Sequence, residues 1–260
     1  MVRSPTTTSP TGSPWRCYYE SMTEAPPDQT AAEPPEPVDQ LVEGLVNQIA
    51  HDIRNFAFAM GLQAELGALR SSDPVASKSH FEAVLRQVDK LKDYLEHLLL
   101  YGRPFRPQPE SLDPLALLRE TAQQVAAALS PQPPPPAIEV VAQGSIPRVL
   151  WDRRGIHAAL AALLDNALRS APSPPPVQAI VEDHGERVRI TVRDSGSGMD
   201  EATLAALRHP MAVRRPGGAG LGLAIARKMI RAHGGTLAIA SGAEGTSVCL
   251  EIPREATAKG

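Results

Sequence analysis

The sequence predicts an α+β protein in two parts. A helical hairpin, which completes a dimeric four-helix bundle with a second copy, is followed by a two-layer α/β sandwich. Three observations predict this. Residues 38–70 lack proline and carry apolar side chains at helical spacing, and a second such run follows the break Arg70-Ser-Ser-Asp-Pro74. Beyond the prolines near residue 104, helical runs and paired alternating strands come in separate blocks. Two glycine-rich segments, Asp194-Ser-Gly-Ser-Gly198 and Gly217-Gly-Ala-Gly-Leu-Gly222, interrupt the second part at a strand end and a helix start.

The chain has 260 residues, a formal net charge of −3 and a pI near 6.2, which excludes the basic footprint of a nucleic-acid binder. Cys17 and Cys249 are too few and too far apart for a disulfide framework or a zinc site. No apolar run approaches the roughly 20 residues of a membrane span. No basic segment followed by an apolar one marks a secretion signal, so the expectation is a cytoplasmic protein.

Residues 1–37, rich in proline, serine and threonine, read as a disordered tail with one apolar island at Trp15, Cys17, Tyr18 and Tyr19. The hairpin occupies 38–103. Its first seam is Leu45, Ile49, Ile53, Phe56, Met60, Ala64 and Gly67, and its second is Phe81, Val84, Val88, Leu91, Leu95 and Leu98. Such a hairpin buries too little alone, which is why a homodimer is expected. His51 lies about 200° round the helix from Ile49 and Ile53, on the side away from the seam. Asp52 adjoins it, and Asn55 follows one turn on. Taken alone, this is either a solvated polar face or an exposed imidazole set beside a carboxylate to act as a nucleophile.

Residues 104–111 read as a short, stiff, proline-rich linker about which the second part swings. Residues 112–254 form the sandwich, and 255–260 a tail. Asp113-Pro114 opens a helix as cap and first residue. Ile138–Val141 and Val149–Asp152 are short strands, and a helix covers Arg153–Ser170. Strands 177–182 and 187–193 pair across His184-Gly185, as do 236–241 and 246–252 across a second turn. Asp194, at a strand end, is placed to accept hydrogen bonds from a base or ribose. The glycines ahead of Leu221 suit an anion at a helix N-terminus.

The order of an asparagine-bearing helix, Asp194-x-Gly196-x-Gly198 and Gly218-x-Gly220-Leu-Gly222 resembles the ATP-binding domain of sensor histidine kinases and their GHKL relatives, the Bergerat fold. No Gly-Lys-Ser/Thr follows the glycines, so it is not a Walker loop. His51-Asp-Ile-Arg-Asn55 resembles the phospho-acceptor box of the same kinases.

The resemblance implies an ATP-dependent protein-histidine kinase that phosphorylates His51 and passes the group to an aspartate on the receiver domain of a response regulator. It also implies input from a separate sensory protein. Asp52 is then the acid/base partner of His51, and Asn55 serves dephosphorylation of the regulator. Asn166 holds Mg2+ and Arg169 meets a phosphate. Asp194 accepts from the adenine amino group, with Gly196 and Gly198 admitting the nucleotide. Gly218, Gly220 and Gly222 cradle phosphates, and Thr246 lies near the adenine.

Three departures stand against the family pattern. Phe56 occupies the usual proline position. Ala162 occupies that of a second asparagine. The short lid, 200–216, carries Leu204, Leu207 and Met211 in place of phenylalanines, with Arg214 and Arg215 beside them. They favour an alternative expectation, a non-catalytic phosphotransfer or docking protein with a degenerate ATP domain. A serine kinase of the anti-sigma type is disfavoured, because it needs no histidine helix.

Overall fold

The structure is a computed structural model that describes residues 38–129, 138–170, 176–207 and 220–255, with side chains from Gly44. The tails at 1–37 and 256–260, Gly218, and the lid beyond Leu207 with Arg214 and Arg215 lie outside the described residues. Of two compact units, Met1–Asn47 and Gln48–Gly260, the second holds the hairpin contacts and the sheet. Among the described residues no helix is long and apolar enough to cross a membrane.

Helix α1 spans Val38–Leu69 and α2 spans Pro74–Gly102. The turn between them works as its sequence suggests. Asp73 caps α2 by accepting from the Val75 and Ala76 amides at 3.0 and 3.2 Å, and Pro74 fills the first position, where no amide is needed. The helices run antiparallel. Gln63 meets His80 at 2.8 Å, Ser77 Oγ donates to the Gly67 carbonyl at 3.3 Å, and Tyr94 reaches Asp52.

The seam differs from the expected one. Phe56, Met60 and Gly67 turn toward α2, but Ile53 and Ala64 face outward, and Asp52 takes the inner place with only 3% exposure. On α2, Tyr94 is inside while Phe81 and Leu95 are outside. The reason is that apolar side chains fill two adjacent stripes on each helix. Spacing alone does not say which stripe faces the partner. The polar pair Asp52–Tyr94, satisfied by mutual hydrogen bonding, is compatible with the inner one.

The second part begins at β1 (Glu110–Leu112), which pairs antiparallel with β3 (Val149–Trp151). Between them lie α3 (Pro114–Leu129) and β2 (Ile138–Gln143). Then come α4 (Arg153–Ser170), β4 (Val177–His184), β5 (Arg187–Asp194), α5 (Glu201–Ala206), α6 (Gly222–Ala232), β6 (Thr236–Gly242) and β7 (Gly245–Pro253). The five-stranded sheet has order β2-β4-β5-β7-β6, antiparallel except for the parallel β2–β4 pair. Val188, Ile190 and Val192 of β5 alternate onto the core side. Against that sheet α4 lays Ile156, Ala159, Leu160, Leu163, Leu164 and Ala167, spaced by three and four. Helix α6 packs Ile225, Ala226, Met229 and Ile230. This is the expected two-layer sandwich. Strand β1 and the short lid helix α5 were not expected, since three to six residues carry too little periodicity to read.

The linker is docked in this structure. Asp152, buried at the start of α4, accepts from the Gln108 amide at 2.8 Å and the Gly155 amide at 3.0 Å. Its own amide donates to His233 Nε2 at 3.0 Å, and His233 Nδ1 donates to the Met229 carbonyl at 2.7 Å. Phe105 packs where a Cβ on Gly155 would stand, with its ring 6.1 Å from that of His233. Lys228 of α6 donates to the carbonyls of Leu100, Tyr101 and Arg103 at the end of α2, which a helix end leaves without intrahelical donors.

Burial works to raise the Asp152 carboxyl, but the two amides and the Arg154 guanidinium outweigh it and hold the group below the usual carboxylate range. A lowered carboxyl contributes stability that is present above the unfolded value and lost as pH falls through the folded one. Thermal unfolding followed against pH should therefore show stability falling below about pH 4. Asp152→Asn should flatten that acid limb while lowering the midpoint at pH 7. An unchanged acid limb would show that Asp152 is not one of its sources.

Candidate functional site

Asp194 ends β5 opposite Thr246 of β7. Its Oδ1 accepts from the Gly196 amide at 3.0 Å and the Thr246 amide at 3.2 Å, which turns the chain sharply out of the strand. Three glycines make this turn possible. A Cβ on Gly196 would stand 2.5 Å from the Ser170 carbonyl oxygen. One on Gly198 (φ +67°) would stand 1.8 Å from that of Gly242, and one on Gly245 (φ +119°) 2.0 Å from that of Asp194. All three obstacles are backbone, so the glycines are required by the protein's own packing, a cause more immediate than the approach of a nucleotide.

Ser241 ties the loop down and was not foreseen. Its Oγ accepts from the Met199 amide at 2.9 Å, lies 2.9 Å from Thr246 Oγ1 and donates to the Gly245 carbonyl at 3.2 Å. The cue was weak, a serine before a Gly-containing turn.

The loop that follows the turn lines a cleft of about 430 Å3, within the usual range of small-molecule sites. Arg169, Ser170, Ser197, Gly198, Met199 and Thr246 are among its lining residues. Arg169 is held by Asp165, with Nε donating to both carboxylate oxygens at 2.9 and 2.8 Å. This partner is one turn back on α4 and was legible as an i,i+4 pair. The lid helix α5 is capped by Asp200, which accepts from the Thr203 amide at 2.7 Å, and Arg227 of α6 donates to the Leu207 carbonyl.

A second group forms where α4 meets the start of α6. A Cβ on Gly222 would lie 3.4 Å from Asn166 Nδ2 and 3.5 Å from the Ala162 methyl. Gly220 takes φ +67°, and Leu221 supplies no side-chain cap. Asn166 is thus set beside a helix N-terminus of the kind that receives anions. Among the described residues no three His, Cys, Asp or Glu side chains converge on a metal site.

The third group lies on α1. His51 is exposed and Asp52 buried. His51 Nδ1 stands 3.2 Å from Asn55 Nδ2 and 3.5 Å from Asp52 Oδ1. Asp52 Oδ1 also accepts from Gln48 Nε2 at 3.0 Å, and Oδ2 accepts from the Tyr94 hydroxyl at 3.0 Å. Tyr94 was missed by the sequence reading. A tyrosine inside an apolar helical run was its signal, because a buried hydroxyl needs a partner. Asn55 and Asp52 ask opposite things of Nδ1. The amide donates to a bare nitrogen, and the carboxylate accepts from a protonated one. Gly198, Thr246 and Arg169 are thus gathered at the cleft, with Asp194 and Gly196 in the turn bonded to Thr246, Asn166, Gly220 and Gly222 at the α4–α6 junction, and His51, Asp52 and Asn55 on α1.

Residues 151–256 match the histidine kinase-, DNA gyrase B- and HSP90-like ATPase family, and the chain as a whole is similar to two-component sensor histidine kinases. Sensor protein kinase PmrB of Pseudomonas aeruginosa is 27% identical over 220 residues, covering 80% of this chain and 44% of that protein. Sensory histidine kinase/phosphatase NtrB of Salmonella typhimurium is 27% identical over 222 residues, covering 80% of this chain and 61% of that protein. Matches of that length extend beyond the ATPase domain into the hairpin. The chain spans less than two thirds of either relative. Histidine kinase ThkA, solved in complex with the response regulator protein TrrA, shares the fold at a TM-score of 0.68 and 22% identity, over 83% of this chain and 62% of that one.

The glycine argument has a direct test. Gly198→Ala should lower stability in urea by about 2 kcal/mol or more, from the unfavourable φ and the collision together. Gly144→Ala shares a positive φ of +81° but meets only open space, so it should cost about 1 kcal/mol. Equal losses would remove the collision with Gly242.

Proposed function

We propose that this protein is a homodimeric, ATP-dependent histidine kinase acting in the cytoplasm. It phosphorylates His51 and transfers the group to an aspartate of a response regulator receiver. The observation that carries the reading is the presence, in one chain, of an exposed imidazole backed by a carboxylate and of a cleft with the ATPase-family fold.

Asn166 and the α6 N-terminus fit a magnesium-bound triphosphate. Asn166 would hold such a hard cation through its side-chain oxygen. The cation would neutralise charge on the transferring group. Asp194 and Thr246 are set to receive the adenine, and Arg169 to meet a phosphate.

His51 Nδ1 is engaged by Asp52 and Asn55, so Nε2 is the nucleophile. It forms the bond to the γ-phosphorus as the bond to the bridging oxygen breaks and ADP leaves with the electron pair. The ring becomes cationic, and Asp52 takes the Nδ1 proton. Asn55, on the same helical side, supports hydrolysis of the regulator's phosphoaspartate by placing a water.

The hairpin offers two sides for two partners. In antiparallel helices, the residue following each inward position points to the same side. Ile53 after Asp52 and Leu95 after Tyr94 therefore share one side, and both are exposed, as is Phe81 beyond Leu95. That side suits a second copy. His51 is on the other side, with Phe58 (73% exposed) and Leu62 seven and eleven residues along, and that side suits the regulator.

One observation favours the second reading, a non-catalytic phosphotransfer protein. Ala162 presents a methyl group beside Gly222, where the family pattern has a second asparagine. Incubation with γ-labelled ATP and Mg2+ separates the two. Acid-labile, alkali-stable label, lost in His51→Gln and in Asp194→Asn, is expected, with nucleotide binding lost only in the latter. Absence of both label and nucleotide binding would favour the phosphotransfer reading.

Leu95→Asp should shift the protein toward monomer in light scattering. Phe58→Asp should leave autophosphorylation intact while slowing transfer to the regulator about tenfold. Equal slowing of both reactions would place Phe58 elsewhere than at the regulator interface.

A further inference from the structure

The mechanism does not use the buried side chain that Tyr94 presents to Asp52. Tyr94 lies 42 residues from Asp52 on the other helix of the hairpin, is 3% exposed, and donates its hydroxyl to Asp52 Oδ2 at 3.0 Å. Its ring stacks at a tilt on Phe56, with centroids 5.7 Å apart, which fixes where the hydroxyl points. Oδ1 of the same carboxylate faces His51 Nδ1 at 3.5 Å and takes a second hydrogen bond from Gln48. The carboxylate is therefore held at both oxygens, one from its own helix and one from across the hairpin.

We infer that Tyr94 is a positioning residue for the reaction at His51. By anchoring Oδ2 it keeps Oδ1 aimed at Nδ1 and holds the imidazole in the Nδ1–H form, which leaves the lone pair on Nε2. Asn55 favours the opposite tautomer by donating to Nδ1 from 3.2 Å. With the Tyr94 hydroxyl gone, the carboxylate rotates toward solvent or Gln48, Asn55 prevails, and the proton moves to Nε2, where it blocks attack. The inference rests on the proposed autophosphorylation for its kinetic consequence and on the hairpin alone for the tautomer.

The test uses the full-length protein. In Tyr94→Phe, which keeps the ring and its contact with Phe56, kcat for autophosphorylation should fall about tenfold with KM for ATP unchanged. In an Asp52→Asn background the same change should have no further effect, because Tyr94 acts only through that carboxylate. Nitrogen-15 spectra of the His51 ring, assigned with His51→Gln, should show the population shift from Nδ1–H to Nε2–H in Tyr94→Phe. An equal kinetic loss in the Asp52→Asn background would make Tyr94 a packing residue and overturn the inference. So would an unchanged tautomer ratio. If wild-type protein takes no label at His51 but the tautomer shifts as expected, the kinase reading fails and the positioning of the ring stands.

Discussion

The buried Asp152 carboxylate is the point on which the arrangement of this molecule depends. It caps the helix that carries Asn166, receives the backbone of the incoming linker, and has its own amide fixed on His233 at the end of the helix that begins with Gly222. Three elements that share no stretch of sequence therefore meet at one residue. A helix cap is ordinarily worth about 1 kcal/mol and acts within one turn. Here the capping residue also ties α4 to α6, because its backbone amide donates to His233, and so relates an asparagine side chain to a helix N-terminus 56 residues further on. Because both His233 nitrogens are committed to backbone groups, the imidazole is used as a fixed spacer.

From that node, order passes outward in two directions. Toward the cleft, the backbone of the Asp194 turn comes so close to Ser170, Gly242 and Gly245 that no side chain fits between. The turn beside the cleft is then fixed by backbone packing, and the small residues familiar from phosphate and nucleotide loops follow from the fold itself. Toward the hairpin, Lys228 gathers the open carbonyls at the end of α2. Burial pushes this ammonium below the usual lysine range, a measure of how far the contact draws it from water. The helix that begins at the phosphate-type glycines and the helix that presents Tyr94 to Asp52 are thus joined by a side chain about two turns from Tyr94.

Much of this was legible in the sequence, and what was not has physical reasons. The cap at Asp113-Pro114, the apolar faces of α4 and α6 and the two strand pairs followed from local rules. The parallel β2–β4 pair did not, since pairing partners far apart in sequence leave no local mark. Ile53 and Leu95 were expected inside and lie outside, because each helix carries two apolar stripes, and spacing does not rank them. Asp52 was expected beside His51 in solvent. Its burial depends on a hydroxyl 42 residues away, information that α1 alone does not contain. At the cleft the residue types were recognisable, but the reason for the glycines was not, because the obstructing carbonyls belong to other loops.

The inward place of Asp52 is the least economical choice in the hairpin and therefore the most informative. Leucine at that position would bury apolar surface worth about 2 kcal/mol. A carboxylate carries a desolvation penalty on the order of several kcal/mol that hydrogen bonds only offset. The chain has leucines in plenty on both helices, so composition did not force the exchange. Stability is not what Asp52 and Tyr94 add here. What they do add is direction. A carboxylate beside an exposed histidine but itself in solvent would sample many rotamers and compete with water for the ring proton. One held in the interior by donors at both oxygens meets Nδ1 from a single side, while the ring stays open to solvent on the other. The arrangement makes sense as the separation of two needs, a reactive nitrogen in water and its proton acceptor out of it, across the 100° between adjacent residues of one helix.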